Sequence, residues 1–248
     1  MHHGAASPSS DGGRRAVVVP GPVATLRTER LRLDPVAPAD EAALFALHAD
    51  PRAFSEDSTA PLTDPAQMRW VLRQWRAGWE RDGIGNFAVR ARRPGPVPAA
   101  EGAAETSVED TTSGREAPLP PELLGVVGLS SLEAAGTEVL SAYWRLDPGV
   151  MGRGVASEAM RAVLDRLATG LHPARSLAPD PHAPGRDDRE VVAVTAAGNT
   201  PSLALAARLG FRPAPADRPV PGGREGDVLL VLPRDAGSGP AGSRPAGS

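Results

Sequence analysis

The sequence predicts an α/β protein: an α+β mixed sheet with helices packed on both faces. Three observations predict it. Strand-like and helix-like segments alternate along the chain in the order β-α-α-β-β-β-α-β-α-β. The spacing of apolar residues switches between two and three-to-four from one segment to the next. A glycine-rich turn, GVMGRGVASEAM at residues 149–160, joins a strand directly to a helix.

Each element follows from its residues. Residues 25–36 (TLRTERLRLDPV) place Leu26, Leu31 and Leu33 among polar neighbours and read as a strand. Residues 40–48 suggest a short helix with Leu44 and Leu47 turned inward. Thr63 is the expected N-cap of a second helix. There Met68, Val71, Leu72, Trp75 and Trp79 make one apolar stripe, and Arg69, Arg73 and Arg76 lie away from it. That stripe reads Trp75 and Trp79 as core; His48, at the end of the first helix, reads as a helix-face residue, not a base. Residues 87–89 and 123–129 read as a strand pair. Residues 139–146 form another strand, with Tyr143 and Trp144 suited to it. After the glycine turn, Met160, Val163, Leu164 and Leu167 mark a helix. Residues 191–195 are a buried strand. Residues 201–209 are a helix with Pro201 near its start and Gly210 at its end, and residues 228–232 close the sheet.

Four stretches read as unstructured: residues 1–23, 93–121, 172–189 and 235–248. All are rich in Pro, Gly, Ala, Ser or charge, and too poor in large apolar residues to offset the entropy of ordering. The expected organisation is one domain over residues 24–234 with flexible insertions at 93–121 and 172–189, flanked by disordered tails.

Composition narrows the function. The 248 residues carry a formal net charge of −3, which gives no overall pull toward nucleic acid or a membrane surface. No apolar run approaches the roughly 20 residues of a membrane span. Residues 1–20 lack the pattern of a signal peptide, so a cytoplasmic protein is expected. The chain has no cysteine, which excludes disulfides, thiolate metal sites and a cysteine nucleophile, and no metal is expected. It also has no lysine, which excludes a P-loop lysine and a Schiff base.

A strand, a glycine turn and a helix start together make an anion site. The first-turn N–H groups have no helical partner, the helix dipole adds partial positive charge, and glycine lets a phosphate reach the backbone. Arg153 adds a cation. A dinucleotide fingerprint fits only in part: Gly152 and Gly154 match, but Ser157 stands in the third position.

LDPGVMGRGVASEA at residues 146–159 resembles the acetyl-CoA loop of the GNAT N-acetyltransferases, in which apolar-x-Pro precedes R/Q-x-x-G-x-G/A. Gly154 and Ala156 match its last fixed positions. Met151 departs from the usual Arg or Gln, but a large apolar residue is frequent there in the ribosomal-protein N-terminal acetyltransferases (RimJ/RimL type). TERLRL at residues 28–33 looks like that branch's opening strand, and NTPSLALAARLGF at residues 199–211 like its Asn-x-x-Ser…Leu-Gly-Phe helix.

The resemblance implies a central sheet whose strands 139–146 and 191–195 run parallel and splay apart. The pantetheine arm of acetyl-CoA, the co-substrate, would lie in the V. It implies cofactor contacts from Leu146, Met151, Gly152, Arg153, Gly154, Val155, Ala156, Ser157, Asn199 and Ser202. The implied acceptor is a primary amine, on a protein N-terminus or a small molecule, entering beneath the two N-terminal helices. The protein would be a monomer or homodimer. The tyrosine acid of many relatives is absent, because Ala206 occupies its place, and Ser202 is the expected substitute. The branch's glutamate is replaced by Leu140, which leaves Glu133, Glu138 or a water chain as the base. These departures keep a second reading open: a non-catalytic acyl-CoA-binding or regulatory domain.

Overall fold

A computed structural model describes residues 25–92, 119, 120, 122–134, 136–169 and 187–234. Among them, the strands are β1 (Leu26–Arg27), β2 (Leu31–Pro35), β3 (Asn86–Ala91), β4 (Leu123–Ala134), β5 (Thr137–Leu146), β6 (Val191–Ala196), β7 (Arg212–Pro213) and β8 (Asp227–Leu232). The helices are α1 (Glu41–Ala49), α2 (Pro65–Asp82), α3 (Val155–Ala168) and α4 (Thr200–Arg208). The strands form one sheet in the order β1-β2-β3-β4-β5-β6-β8-β7. Every neighbouring pair is antiparallel except β5 and β6, which are parallel.

Strand pleat assigns alternate residues to two cores. Phe87, Val89, Val127, Leu129, Leu140 and Leu146 face α3, whose Val155, Ala159, Met160 and Val163 join the same cluster. Ala88, Val126 and Tyr143 face α1 and α2, packing with Leu44, Leu47, Met68 and Leu72. The expected mixed sheet with helices on both faces is what forms. No helix among the described residues is long and apolar enough to cross a membrane.

Three expectations need correction. Residues 25–36 are not one strand but the hairpin β1–β2, with Leu26 opposite Leu33. The five-residue gap from Leu26 to Leu31 is odd, so a continuous strand would send them to opposite faces; the turn lets both pack on one cluster. Thr28 makes the turn: its N–H donates to Leu31 O and its hydroxyl accepts from Leu31 N–H, both at 3.0 Å. Helix α2 is capped by Asp64, not Thr63. Asp64 Oδ1 accepts from Ala66 N–H at 2.8 Å, and Gln67 Oε1 reaches back to Asp64 N–H at 3.2 Å, a capping box followed by Pro65 at the first helical position. Helix α4 begins at Thr200, one residue before Pro201, because Asn199 is its cap.

The stretches read as unstructured lie outside the described residues except at their edges. Leu119 packs on the α3-side core. Arg189 ties residues 187–189 to the sheet, donating to Asp187 at 2.6 Å, to Ser131 Oγ at 2.8 Å and to Glu138.

Candidate active site

The site begins where two strands part. The β5–β6 pairing covers Leu140↔Val191, Ser141↔Val192 and Ala142↔Ala193 and then stops, although β5 runs on to Leu146 and β6 to Ala196. Beyond Ala193, β6 stays with β8 on its other side. The free edge of β5 has a defined parity. Leu140 N–H donates toward β6, to Glu190 O at 2.8 Å, while Asp147 N–H donates toward β4, to Leu124 O at 2.9 Å. The β4–β5 register is continuous, so even-numbered residues face the β6 side. Trp144 and Leu146 therefore present backbone N–H and C=O groups to the open V.

The strand ends in a tight turn over Pro148–Val150, capped by Asp147 Oδ1, which accepts from Gly149 N–H at 2.7 Å. The loop that follows has Gly152 at φ 77° and Gly154 at φ 73°, the left-handed region that side chains avoid. A Cβ on Gly152 would meet nothing within 4 Å, and one on Gly154 only Arg30 Nη2 at 3.3 Å. Gly154 opens α3 with no side-chain cap. Val155 is buried in the core, Ala156 packs against it and Ser157 is buried, so these three offer the site their backbone N–H groups and not their side chains. Met151 stands half-exposed on the loop, and the Arg153 carbonyl accepts from Arg30 Nη2 at 3.0 Å. Bare, open backbone at an uncapped helix start fits a diphosphate.

Across the V, Asn199 Oδ1 accepts from Ser202 N–H at 3.0 Å and caps α4. Ser202 Oγ accepts from the Trp144 indole at 3.2 Å. Trp144 is the residue that sequence reasoning missed, having been read only as a strand former. Its parity with Leu140 and Leu146 was the available signal. Ala206 is buried in the core, and no hydroxyl is present at that position.

On the opposite face lies a buried polar chain. His48 Nδ1 donates to Leu44 O at 2.7 Å, which leaves Nε2 to accept from Tyr143 OH at 3.0 Å. Arg145 Nε donates to the same phenol at 3.0 Å, and its Nη2 pairs with Asp57 at 2.6 Å. The Arg145 guanidinium also donates to Ala53 O and lies 3.6 Å over the Phe54 ring. Burial pushes His48 down to about 4, against the Leu44 bond that raises it. Burial also raises the Tyr143 phenol, with Arg145 acting in the other direction.

The two glutamates considered as bases lie away from the open end of β5. Glu133 and Glu138 face each other at the turn end of the β4–β5 hairpin, and Glu138 is ion-paired with Arg189. Glu138 lies six positions before Trp144, about 20 Å along a strand.

Splayed parallel strands leading to an open, glycine-lined helix start define the acyl-CoA N-acyltransferase class. A family model described as the acetyltransferase (GNAT) domain matches residues 30–212. The chain belongs to the GNAT family and is an acetyl-CoA-dependent acyltransferase. No curated protein is a significant sequence match. Among solved structures, an acetyltransferase from Agrobacterium tumefaciens is similar, at 24% identity and a TM-score of 0.58, covering 86% of this chain and 95% of that one. A GNAT-family acetyltransferase from Bordetella pertussis reaches 26% identity and a TM-score of 0.55, covering 85% and 99%. A RimL ribosomal L7/L12 α-N-protein acetyltransferase, solved with coenzyme A, reaches 15% and 0.56, covering 84% and 96%.

Proposed function

We propose that this enzyme transfers the acetyl group of acetyl-CoA to a primary amine, a protein N-terminus or a small-molecule amine. The observation that carries this reading is the Ser202 hydroxyl at the mouth of the V. Trp144 donates to its oxygen, so the hydroxyl proton is not used in that bond. The Gly152–Ser157 backbone would take the pyrophosphate, and the free edge of β5 at Trp144 and Leu146 would bond the pantetheine arm as an added strand does.

A neutral amine attacks the thioester carbonyl. The C–N bond forms, the C–S bond breaks, and the amine proton leaves to solvent. A β5 edge N–H polarises the carbonyl oxygen. The Ser202 hydroxyl donates to the departing sulfur, so its bond strengthens as charge develops there. Holding the two reactants in place supplies several kcal/mol of the barrier reduction. An α-amine, with a pKa near 8, has a workable neutral fraction at neutral pH, whereas a lysine amine near 10.4 does not. The RimL neighbour, named for an α-N-protein activity, supports the same choice. The test is an amine panel incubated with acetyl-CoA and assayed for free thiol. Release with peptide α-amines above that with lysine side chains is expected. CoA binding without turnover on any amine would leave a binding module instead.

A further inference from the structure

Glu158 sits in the first turn of α3, four residues after Gly154. A carboxylate at that helix end favours the dipole, but beside a pyrophosphate site it is a competing anion. Both of its oxygens are occupied. Oε1 accepts from the Thr28 hydroxyl and from Arg30 N–H at 3.0 Å, and Oε2 from Arg30 Nε at 2.8 Å. Burial alone would raise the Glu158 carboxyl, but the Thr28 and Arg30 bonds outweigh it and hold the group below the usual carboxylate range. The carboxylate is thus ionised at neutral pH, with its charge matched by Arg30.

The same guanidinium reaches further. Arg30 Nη2 donates to Arg153 O at 3.0 Å and lies 3.3 Å from the Cβ position of Gly154. Because the peptide is planar and trans, pinning the Arg153 carbonyl turns the Gly154 N–H to the opposite side. One side chain therefore neutralises the helix-start carboxylate and sets the orientation of a loop peptide. We infer that Arg30 and Glu158 are positioning residues for the cofactor, a clasp through which the β1–β2 turn holds the glycine loop in its pyrophosphate-binding form. The inference rests on the reading of that loop given under the proposed function.

The test compares CoA with acetyl-pantetheine, which carries the thioester arm but no pyrophosphate. Both affinities are measured on the full chain, with kcat followed at saturating acetyl-CoA. The parent protein should prefer CoA. Arg30→Ala should lose about tenfold in CoA affinity, keep its acetyl-pantetheine affinity and leave kcat unchanged. Arg30→Lys keeps the charge but not the fork, so it should rescue only part of the loss and serves if the alanine variant fails to fold. Equal losses on both ligands, or no loss on CoA, would overturn the clasp. A parent protein with no preference for CoA would overturn the loop reading, and the clasp with it.

Discussion

The Trp144 indole Nε1 donates to Ser202 Oγ over 3.2 Å, joining the free end of β5 to the first turn of α4. An indole nitrogen only donates, so the serine proton is not used in this bond and is available to another acceptor in the V. If that acceptor is the leaving sulfur, Ser202→Ala should bind acetyl-CoA normally and lose roughly ten- to a hundredfold in kcat. Trp144→Phe, which removes the orienting donor but keeps the hydroxyl, should lose less. Steady-state kinetics on an accepted amine across pH 6 to 9 decides the matter. A parent-like rate in the alanine variant removes Ser202 from the chemistry.

Gly154 holds φ 73° at the start of α3, where Arg30 Nη2 lies 3.3 Å from the position a Cβ would take. Gly154→Ala should destabilise the fold by about 1 kcal/mol through backbone strain and weaken CoA binding. Gly154→Glu adds bulk and like charge and should abolish binding while the protein remains folded. Calorimetric titration with CoA, alongside circular dichroism, reads both effects. Unchanged affinity in the glutamate variant excludes this loop as the pyrophosphate site.

His48 gives the fold an acid-sensitive element. Burial lowers it from 6.5 to about 4, so the native state disfavours the proton that the unfolded chain accepts. The stabilisation is complete above about pH 6.5 and is lost as pH falls toward 4, by about 3 kcal/mol over that window. Urea unfolding at pH 7 and pH 5 should show most of this loss in the parent protein and little in His48→Gln. An equal pH slope in both proteins would trace the effect to other groups.

Arg145 is held by Asp57, Tyr143 and the Ala53 carbonyl, with its guanidinium over Phe54. Arg145→Ala leaves these partners unmatched in a mostly buried setting and should cost about 3 kcal/mol. Arg145→Lys should recover little, since an ammonium cannot fork to all of them. Denaturant midpoints measure both. A midpoint shift near zero for the alanine variant would mean that water replaces the guanidinium.

Arg90 and Leu123 are partners in the β3–β4 ladder, so the segment between these strands leaves and returns at neighbouring points. Replacing residues 93–118 with a short Gly/Ser turn, while keeping Leu119 and its core contact, should leave the melting temperature and CoA affinity nearly unchanged. A drop in either would show that the segment packs on the domain or touches the ligand.

Local chemistry carried most of the architecture. Apolar spacing located α1 to α4 and the long strands, because a helix stripe and a strand alternation are properties of adjacent residues. The glycines at 152 and 154 could be read as backbone exposed for an anion, since only glycine is at ease in the left-handed region. Where the reading failed locally, two local signals competed. Asp64 displaced Thr63 as the cap because Gln67 completes a box with it, and the odd spacing from Leu26 to Leu31 concealed a hairpin within an apparent strand. Long-range pairing could not be read this way. The Trp144–Ser202 bond spans 58 residues, and the Arg30–Glu158 clasp 128. The end of the β5–β6 ladder at Ala142↔Ala193, which opens the V, and the removal of Glu138 to the far end of its strand are likewise matters of register. Composition and spacing specify which face a residue turns inward. Which distant residue meets it there is settled when the sheet assembles, because that contact depends on strand order and register and not on any property of the neighbouring chain.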